Sequence, residues 1–272
     1  MRVKNFHLGH TLESGQFFRY YKKDDWYYVT TGDHFFRVRQ EEEILKKEGA
    51  PLRVVKRFLG LSQDYEHVLS SFEDPLIKNI QQQLHGLRLL EQNSWECLCA
   101  FICSSASNIP KITKNVNSLA QSFGVKKVLG NEVSYTFPRP GEMKDDEKIK
   151  SAGVGYRAAF LQALNKTITE DQLSQWPQLS YDALLEKLMS LHGVGEKIAD
   201  CVALFAFQRF EAFPVDVWIQ RIMEQHYTGP VRPWQVKGFA QSYFGRYAGY
   251  AQQFLYHDGR RKIFNSRVKL LR

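Results

Sequence analysis

The sequence predicts an α+β chain, an N-terminal antiparallel β-sheet followed by a mostly helical body. Two observations point there. Residues 15–39 hold three aromatic and β-branched runs, and from about residue 52 the apolar residues recur at helical spacing. The runs are GQFFRYY (15–21), WYYVTT (26–31) and HFFRVR (34–39), separated by the turn-like segments KKDD and Thr31-Gly32-Asp33. They read as an antiparallel meander within about residues 1–60, with one face that needs cover. Asp74-Pro75 is a helix start, with Asp as N-cap and Pro in the first helical position. Ser94, Ser180 and Asp216 offer further caps. Helices are expected over 75–90, 94–104, 108–123, 156–165, 180–190, 196–208, 216–226, 233–245 and 249–257. The Gly, Pro and charge content of 125–147 predicts a loop there. The expected division is a sheet domain with covering helices over 1–88 and a helical domain over 89–272, ending in a basic tail.

Composition narrows the function class. With 272 residues, 43% hydrophobic and 24% charged, the chain is an ordinary globular one of one or two domains, which excludes disorder throughout. No run of about 18 apolar residues predicts a membrane helix, so no membrane partner is expected. The start, MRVKNFHLGH, is too short and polar for a secretory signal, so the expected location is the cytoplasm of a prokaryote, or the nucleus if the source is eukaryotic. Lys plus Arg total 37 against 29 Asp plus Glu, a net charge of +8 that favours a polyanionic partner. Six of the basic residues fall within His257–Arg272. Cys97, Cys99 and Cys103 lie in the apolar stretch WECLCAFICSS, and Cys201 stands apart. Their spacing could suit a metal, but such sites bring more ligands and turn residues, so the stretch reads as a core helix of reduced thiols. No metal or other cofactor is expected.

The most informative segment is LMSLHGVGEKIAD (188–200). One helix ends near Ser190, Gly193-Val194-Gly195 turns tightly, and a second helix starts at Glu196. The glycines permit positive φ and close backbone approach, Val194 can tuck between the helices, and the N–H groups of the new helix can cradle a DNA phosphate. A GVG turn alone is equally a plain helix connection. The longer pattern, LxGVGxKxAD followed by PVD, is far more specific.

LHGVGEKIAD (191–200) and FPVDVW (213–218) resemble the helix-hairpin-helix DNA glycosylase superfamily. Within it, TLESGQFFRY (11–20), LHGLRLLEQNSWECLCAFICSSASNI (84–109), GVGYRA (153–158) and YAGYAQQFLY (247–256) resemble the 8-oxoguanine DNA glycosylase/AP lyases. The resemblance runs from about residue 8 to 257 with its motifs in family order. It implies a monomer acting on double-stranded DNA that contains 8-oxoguanine.

It also implies roles for particular residues. Lys197, in the first turn of the second hairpin helix, would be the nucleophile that traps the sugar C1′ as a Schiff base. The attack needs an unprotonated amine, whereas a free lysine titrates at about 10.4. By spacing alone Lys197 is equally a surface residue that pairs with phosphate. Asp216 would stabilise the oxocarbenium character of the sugar and, at the start of VWIQRIM, also reads as a helix N-cap; the two roles are compatible. Asp200 is the rival acid and reads as a structural hydrogen-bond partner. An enzyme of this kind flips the base from the duplex and sandwiches it. The carbonyl of Gly15 would accept the N7 hydrogen that 8-oxoguanine has and guanine lacks. Gln252 would read the Watson–Crick edge, with Gln253 as the alternative on another helix face. Cys201 and Tyr256 would sandwich the base, Tyr256 standing where the family commonly has Phe. Tyr156 would be the wedge that fills the vacated stack, and Arg157 a donor to the orphaned base.

Three positions depart from the family. Ala106 stands where Asn is usual, Lys111 where Arg is frequent, and Trp218 where eukaryotic members have His. Ala cannot hydrogen-bond a base, and Lys lacks the planar fork of Arg, so relaxed preference for the opposite base is expected. Trp218 puts one phosphate contact in question. No cysteine follows Cys201, which argues against the FeS-bearing branches that excise thymine glycol or adenine. Lys197 argues against the monofunctional alkyl-base branch. The competing readings are a glycosylase for another damaged purine and a non-catalytic DNA-binding hairpin module.

Overall fold

The computed structural model describes residues 1–270, with side chains as far as Lys262. A short helix, α1 (Leu8–Leu12), precedes four antiparallel strands: β1 (Tyr20–Lys23), β2 (Trp26–Thr31), β3 (His34–Glu41) and β4 (Ile44–Glu48), in the order β1-β2-β3-β4. Tyr27 pairs with Val38 and Val29 with Phe36, so these four side chains share one face. That face packs with Leu8 and Leu12 of α1 and with Val55 and Phe58 of α2 (Leu52–Phe58).

The other face is covered as well. The segment expected to be a loop, 125–147, contains a hairpin of β5 (Lys126–Leu129) and β6 (Glu132–Tyr135). Gly130, at φ +59°, and Asn131 form its two-residue turn. The short strands are rich in charge, which masked their pairing, but Gly-Asn was itself a hairpin signal. Ser134 hydrogen-bonds Thr30 at 2.6 Å and Glu132 pairs with Lys23, which docks the hairpin onto the sheet.

The helical body continues with α3 (Tyr65–Ser70), α4 (Pro75–Gln83), α5 (Ser94–Cys103), α6 (Ile109–Phe123), α7 (Asp146–Ile149), α8 (Arg157–Thr167) and α9 (Glu170–Gln175). It ends with α10 (Tyr181–Met189), α11 (Glu196–Phe207), α12 (Val217–Met223), α13 (Pro233–Phe244) and α14 (Ala248–Leu270). Tyr65, Val68, Ile77 and Ile80 of α3 and α4 pack into the helical core although they precede the expected boundary at 88/89. Asp74 caps α4 as its sequence predicts, accepting from the Ile77 N–H at 2.8 Å. The helix stops at Gln83, short of the expected residue 90, because Gly86 turns the chain at φ +80°. The following residues run beside the sheet unit, where fully buried Gln16 binds them: its Nε2 donates to the Arg88 carbonyl at 2.8 Å and its Oε1 accepts from Leu90 N–H at 2.8 Å. The expected tail is a continuation of α14 as far as Leu270; the side chains of its last basic residues lie outside the described ones. Among the described residues, no helix is long and apolar enough to cross a membrane.

Candidate active site

The hairpin between α10 and α11 sets the position of Lys197. Gly193 adopts φ +85°, where a Cβ would collide with the Phe160 ring. Val194 is buried in the helical core. Gly195 is extended and caps α11 without a side chain, so the first backbone N–H groups of α11 have no side-chain partner at the cap. Lys197, in the first turn of α11, is half-buried. Its Nζ donates to Ser104 Oγ at 3.1 Å and stands 5.3 Å from the centre of the Phe101 ring. Phe101 in turn stacks on Phe205 of the same helix as Lys197, with centroids 5.5 Å apart. Cys201, one turn along, is buried, and burial pushes its thiol up to about 12. Such a thiol is protonated at neutral pH and is a poor nucleophile.

Asp216 precedes α12 and caps it. Its Oδ1 accepts from the N–H groups of Trp218 at 3.0 Å and Ile219 at 2.8 Å. The carboxylate is thereby oriented by backbone rather than by a mobile side chain.

A cavity of about 530 Å³ brings Lys197 and Asp216 together with Gly15, Cys201, Gln252, Tyr256 and Trp218. Gly15 has φ +86°, and a Cβ there would stand 3.0 Å from Ile109 and 3.2 Å from Tyr256, inside the cavity wall. Its neighbours hold it: Gln16 ties it to the 88–90 segment, and Gln253 of α14 donates to the Ser14 carbonyl at 3.0 Å. The two glutamines of α14 therefore differ. Gln252 is buried, donates Nε2 to the Pro214 carbonyl at 3.3 Å, and keeps an Oε1 that accepts nothing among the described residues. Tyr256 is also drawn inward, and burial pushes its phenol up to about 12.

The residues expected to meet the opposite strand do not line this cavity. Tyr156 is 60% exposed at the start of α8 and packs edge-on against Phe160, which also meets His192 of the hairpin. Ala106 and Lys111 are exposed; the backbone N–H of Lys111 is bound by Asn108, the cap of α6. Ala106 sits in the left-handed region at φ +46°. Arg157 is turned inward, with its guanidinium donating to the carbonyls of Val154, Ser105 and Ala106. In this structure it supports the loop that carries Ala106 and presents no free fork at the surface.

Asp200 is engaged elsewhere. It accepts from the Tyr181 hydroxyl and pairs with Lys237 at 2.9 Å, while burial raises its pKa. The four cysteines are free and buried, and no group of three or more His, Cys, Asp or Glu converges as a metal site among the described residues. Sequence reasoning passed over Ser104, Phe101 and Arg260, all of which line the cavity. Ser104 and Phe101 belong to the core helix α5 and its end, and Arg260 reads in sequence only as part of a basic run.

Residues 1–98 match the family described as the N-terminal domain of 8-oxoguanine DNA glycosylase. The solved structure of MBOgg1 in complex with a low-affinity DNA ligand superposes with a TM-score of 0.92 at 33% identity, covering 96% of this chain and 94% of that one. The 8-oxoguanine glycosylase/lyase of Clostridium acetobutylicum, solved with double-stranded DNA containing cytosine opposite 8-oxoguanine, gives 0.91 at 28% identity, covering 96% and 93%. A probable N-glycosylase/DNA lyase of Methanothermobacter thermautotrophicus is 28% identical over 239 residues, 79% of this chain and 77% of its own length.

Proposed function

The chain belongs to the 8-oxoguanine DNA glycosylase/lyase family of the helix-hairpin-helix superfamily, and from that membership we infer that it excises 8-oxoguanine from duplex DNA and then cuts the strand by β-elimination. One observation carries the assignment to residues: an amine, a backbone-held carboxylate and an unsatisfied glutamine oxygen share a single cavity. The lone pair of Lys197 Nζ forms a bond to C1′ while the bond from C1′ to the base breaks, its electrons leaving with the base. Asp216 stabilises the positive charge that develops on the sugar. The departing base anion takes up a proton; loss of a proton from nitrogen and cleavage of the C1′–O4′ bond, with its electrons passing to O4′, which is protonated, give the Schiff base. Removal of a C2′ hydrogen as a proton then forms the C2′=C3′ double bond and breaks the C3′–O bond, whose electrons leave with the 3′-phosphate.

In the same reading the Gly15 carbonyl meets the N7 hydrogen of the base, Gln252 Oε1 accepts from its Watson–Crick edge, and Cys201 and Tyr256 close on its faces. Tyr156 fills the gap in the duplex, the hairpin Gly193–Gly195 holds a phosphate, and Trp218 borders the flipped nucleotide. Ala106 and Lys111 leave the opposite base weakly read, so preference for cytosine is relaxed. We also propose that residues 1–88 and 89–272 act as two units of one enzyme, with α3 and α4 of the first unit packed into the helical core of the second. The test is single-turnover cleavage of duplexes carrying 8-oxoguanine opposite each of the four bases, run with borohydride. Release of 8-oxoguanine with a trapped covalent adduct is the expected result. Binding without either would leave a non-catalytic hairpin module.

A further inference from the structure

Arg260 lies one turn beyond Tyr256 on α14 and reaches back into the base cavity. Its guanidinium carbon is 5.6 Å from the centre of the Tyr256 ring. Its Nη1 rests against Gly15 so closely that a Cβ there would collide with it. That Nη1 is buried and donates to nothing among the described residues. The adjacent acid, Asp258, pairs instead with Lys262 at 2.6 Å. A buried donor without an acceptor is unfavourable, and buried polar atoms in folded proteins ordinarily have partners. The same cavity holds the opposite deficit, the unsatisfied acceptor Oε1 of Gln252. A ligand that satisfies both offers a donor to Gln252 Oε1 and an acceptor to Arg260 Nη1, beside Gly15.

We infer that Arg260 is a substrate-binding residue, donating from Nη1 to a carbonyl oxygen on the Hoogsteen edge of the flipped base. The inference rests on the functional reading above, which puts N7 at Gly15. In 8-oxoguanine the carbonyl oxygens at C6 and C8 flank N7, so a donor beside Gly15 faces an acceptor on that edge. A backbone phosphate suits this nitrogen less well, because phosphates lie at the surface and Nη1 is inside. The contact would add a charge-assisted hydrogen bond to base recognition and leave the sugar chemistry to Lys197.

The experiment compares two reactions of the full chain under single turnover: release of 8-oxoguanine from an 8-oxoguanine·cytosine duplex, and cleavage of the same duplex with a preformed abasic site. The second needs no base recognition. In R260M the ratio of base release to abasic cleavage should fall at least tenfold, and R260K should recover part of the loss. An R260M enzyme with the wild-type ratio overturns the inference. So does an equal fall in both reactions, or a shallower salt dependence of DNA binding with the ratio unchanged, which would mark a phosphate contact. Wild-type protein that cleaves abasic DNA but releases no 8-oxoguanine overturns the functional reading and this inference with it.

Discussion

Oδ1 of Asp216 binds the N–H groups of Trp218 and Ile219 in the first turn of α12, and an amide oxygen can take over that cap. Asp216→Asn should therefore fold, with a melting temperature close to wild type, while single-turnover base release drops on the order of a hundredfold or more. Unchanged turnover would leave Asp216 a cap alone. Lys197 is half-buried and hydrogen-bonds Ser104, so Lys197→Gln removes the proposed nucleophile without emptying a core position. It should bind 8-oxoguanine DNA yet lose both base release and the borohydride-trapped adduct; adduct at wild-type yield would sink the assignment. Ala106 bears on the opposite strand and on the backbone together. At φ +46° an alanine is strained, whereas asparagine enters the left-handed region more readily. Ala106→Asn with Lys111→Arg should hold or raise stability and sharpen the preference for cytosine by roughly tenfold or more, since a bidentate base contact is worth about 1–3 kcal/mol. Rates on the four duplexes check this, and an unaltered order of preference refutes it. The proposed pair, Lys197 and Asp216, was legible because each residue sits in a contiguous motif. The inward turn of Arg157 was not, because two of its three carbonyl partners, Ser105 and Ala106, lie 52 and 51 residues earlier in the chain.

The hairpin shows what an element's sequence reveals and what packing adds. LHGVGEKIAD predicted a turn between two helices, and both glycines looked alike. The fold separates them. Gly193 has positive φ and the Phe160 ring where a Cβ would go, whereas a Cβ at Gly195 would meet nothing within 4 Å. Gly193→Ala should destabilise the protein by about 1–3 kcal/mol through strain and displacement of Phe160, which supports Tyr156. Gly195→Ala should melt within about 0.5 kcal/mol of wild type, yet bind duplex DNA more weakly if its backbone approaches a phosphate closely. Chemical denaturation and a binding isotherm for each variant test the pair; equal stability losses would contradict the distinction. The β5–β6 hairpin shows the reverse case. Its strands are four residues each and become recognisable as strands only once docked on the sheet.

Across the whole molecule the sheet unit meets α14, and that contact joins residues from opposite ends of the chain, which no local pattern predicts. At this seam the rings of His7 and His10 stack 3.7 Å apart, and His257 of α14 lies 6.4 Å from His10. Burial lowers His10 to about 4 and His257 to about 3, helped by Arg261 at both rings and Arg260 at His257; Glu13 and Lys22 line the same cleft. These folded-state values lie below the unfolded histidine value of about 6.5, so the unfolded chain binds more protons as the pH falls. The stability present above about pH 6.5 is therefore lost progressively toward pH 3. The loss at pH 5 should be on the order of 1 kcal/mol per ring once partial exposure is discounted. Carboxylates also titrate near the acid end of this window, so the wild type alone does not isolate the rings. A His10→Gln/His257→Gln variant does, because it keeps polar side chains and removes the two titrations. Its melting temperature should fall less than that of the wild type between pH 7.5 and pH 5. Parallel falls in the two proteins would show that the seam does not carry the pH dependence.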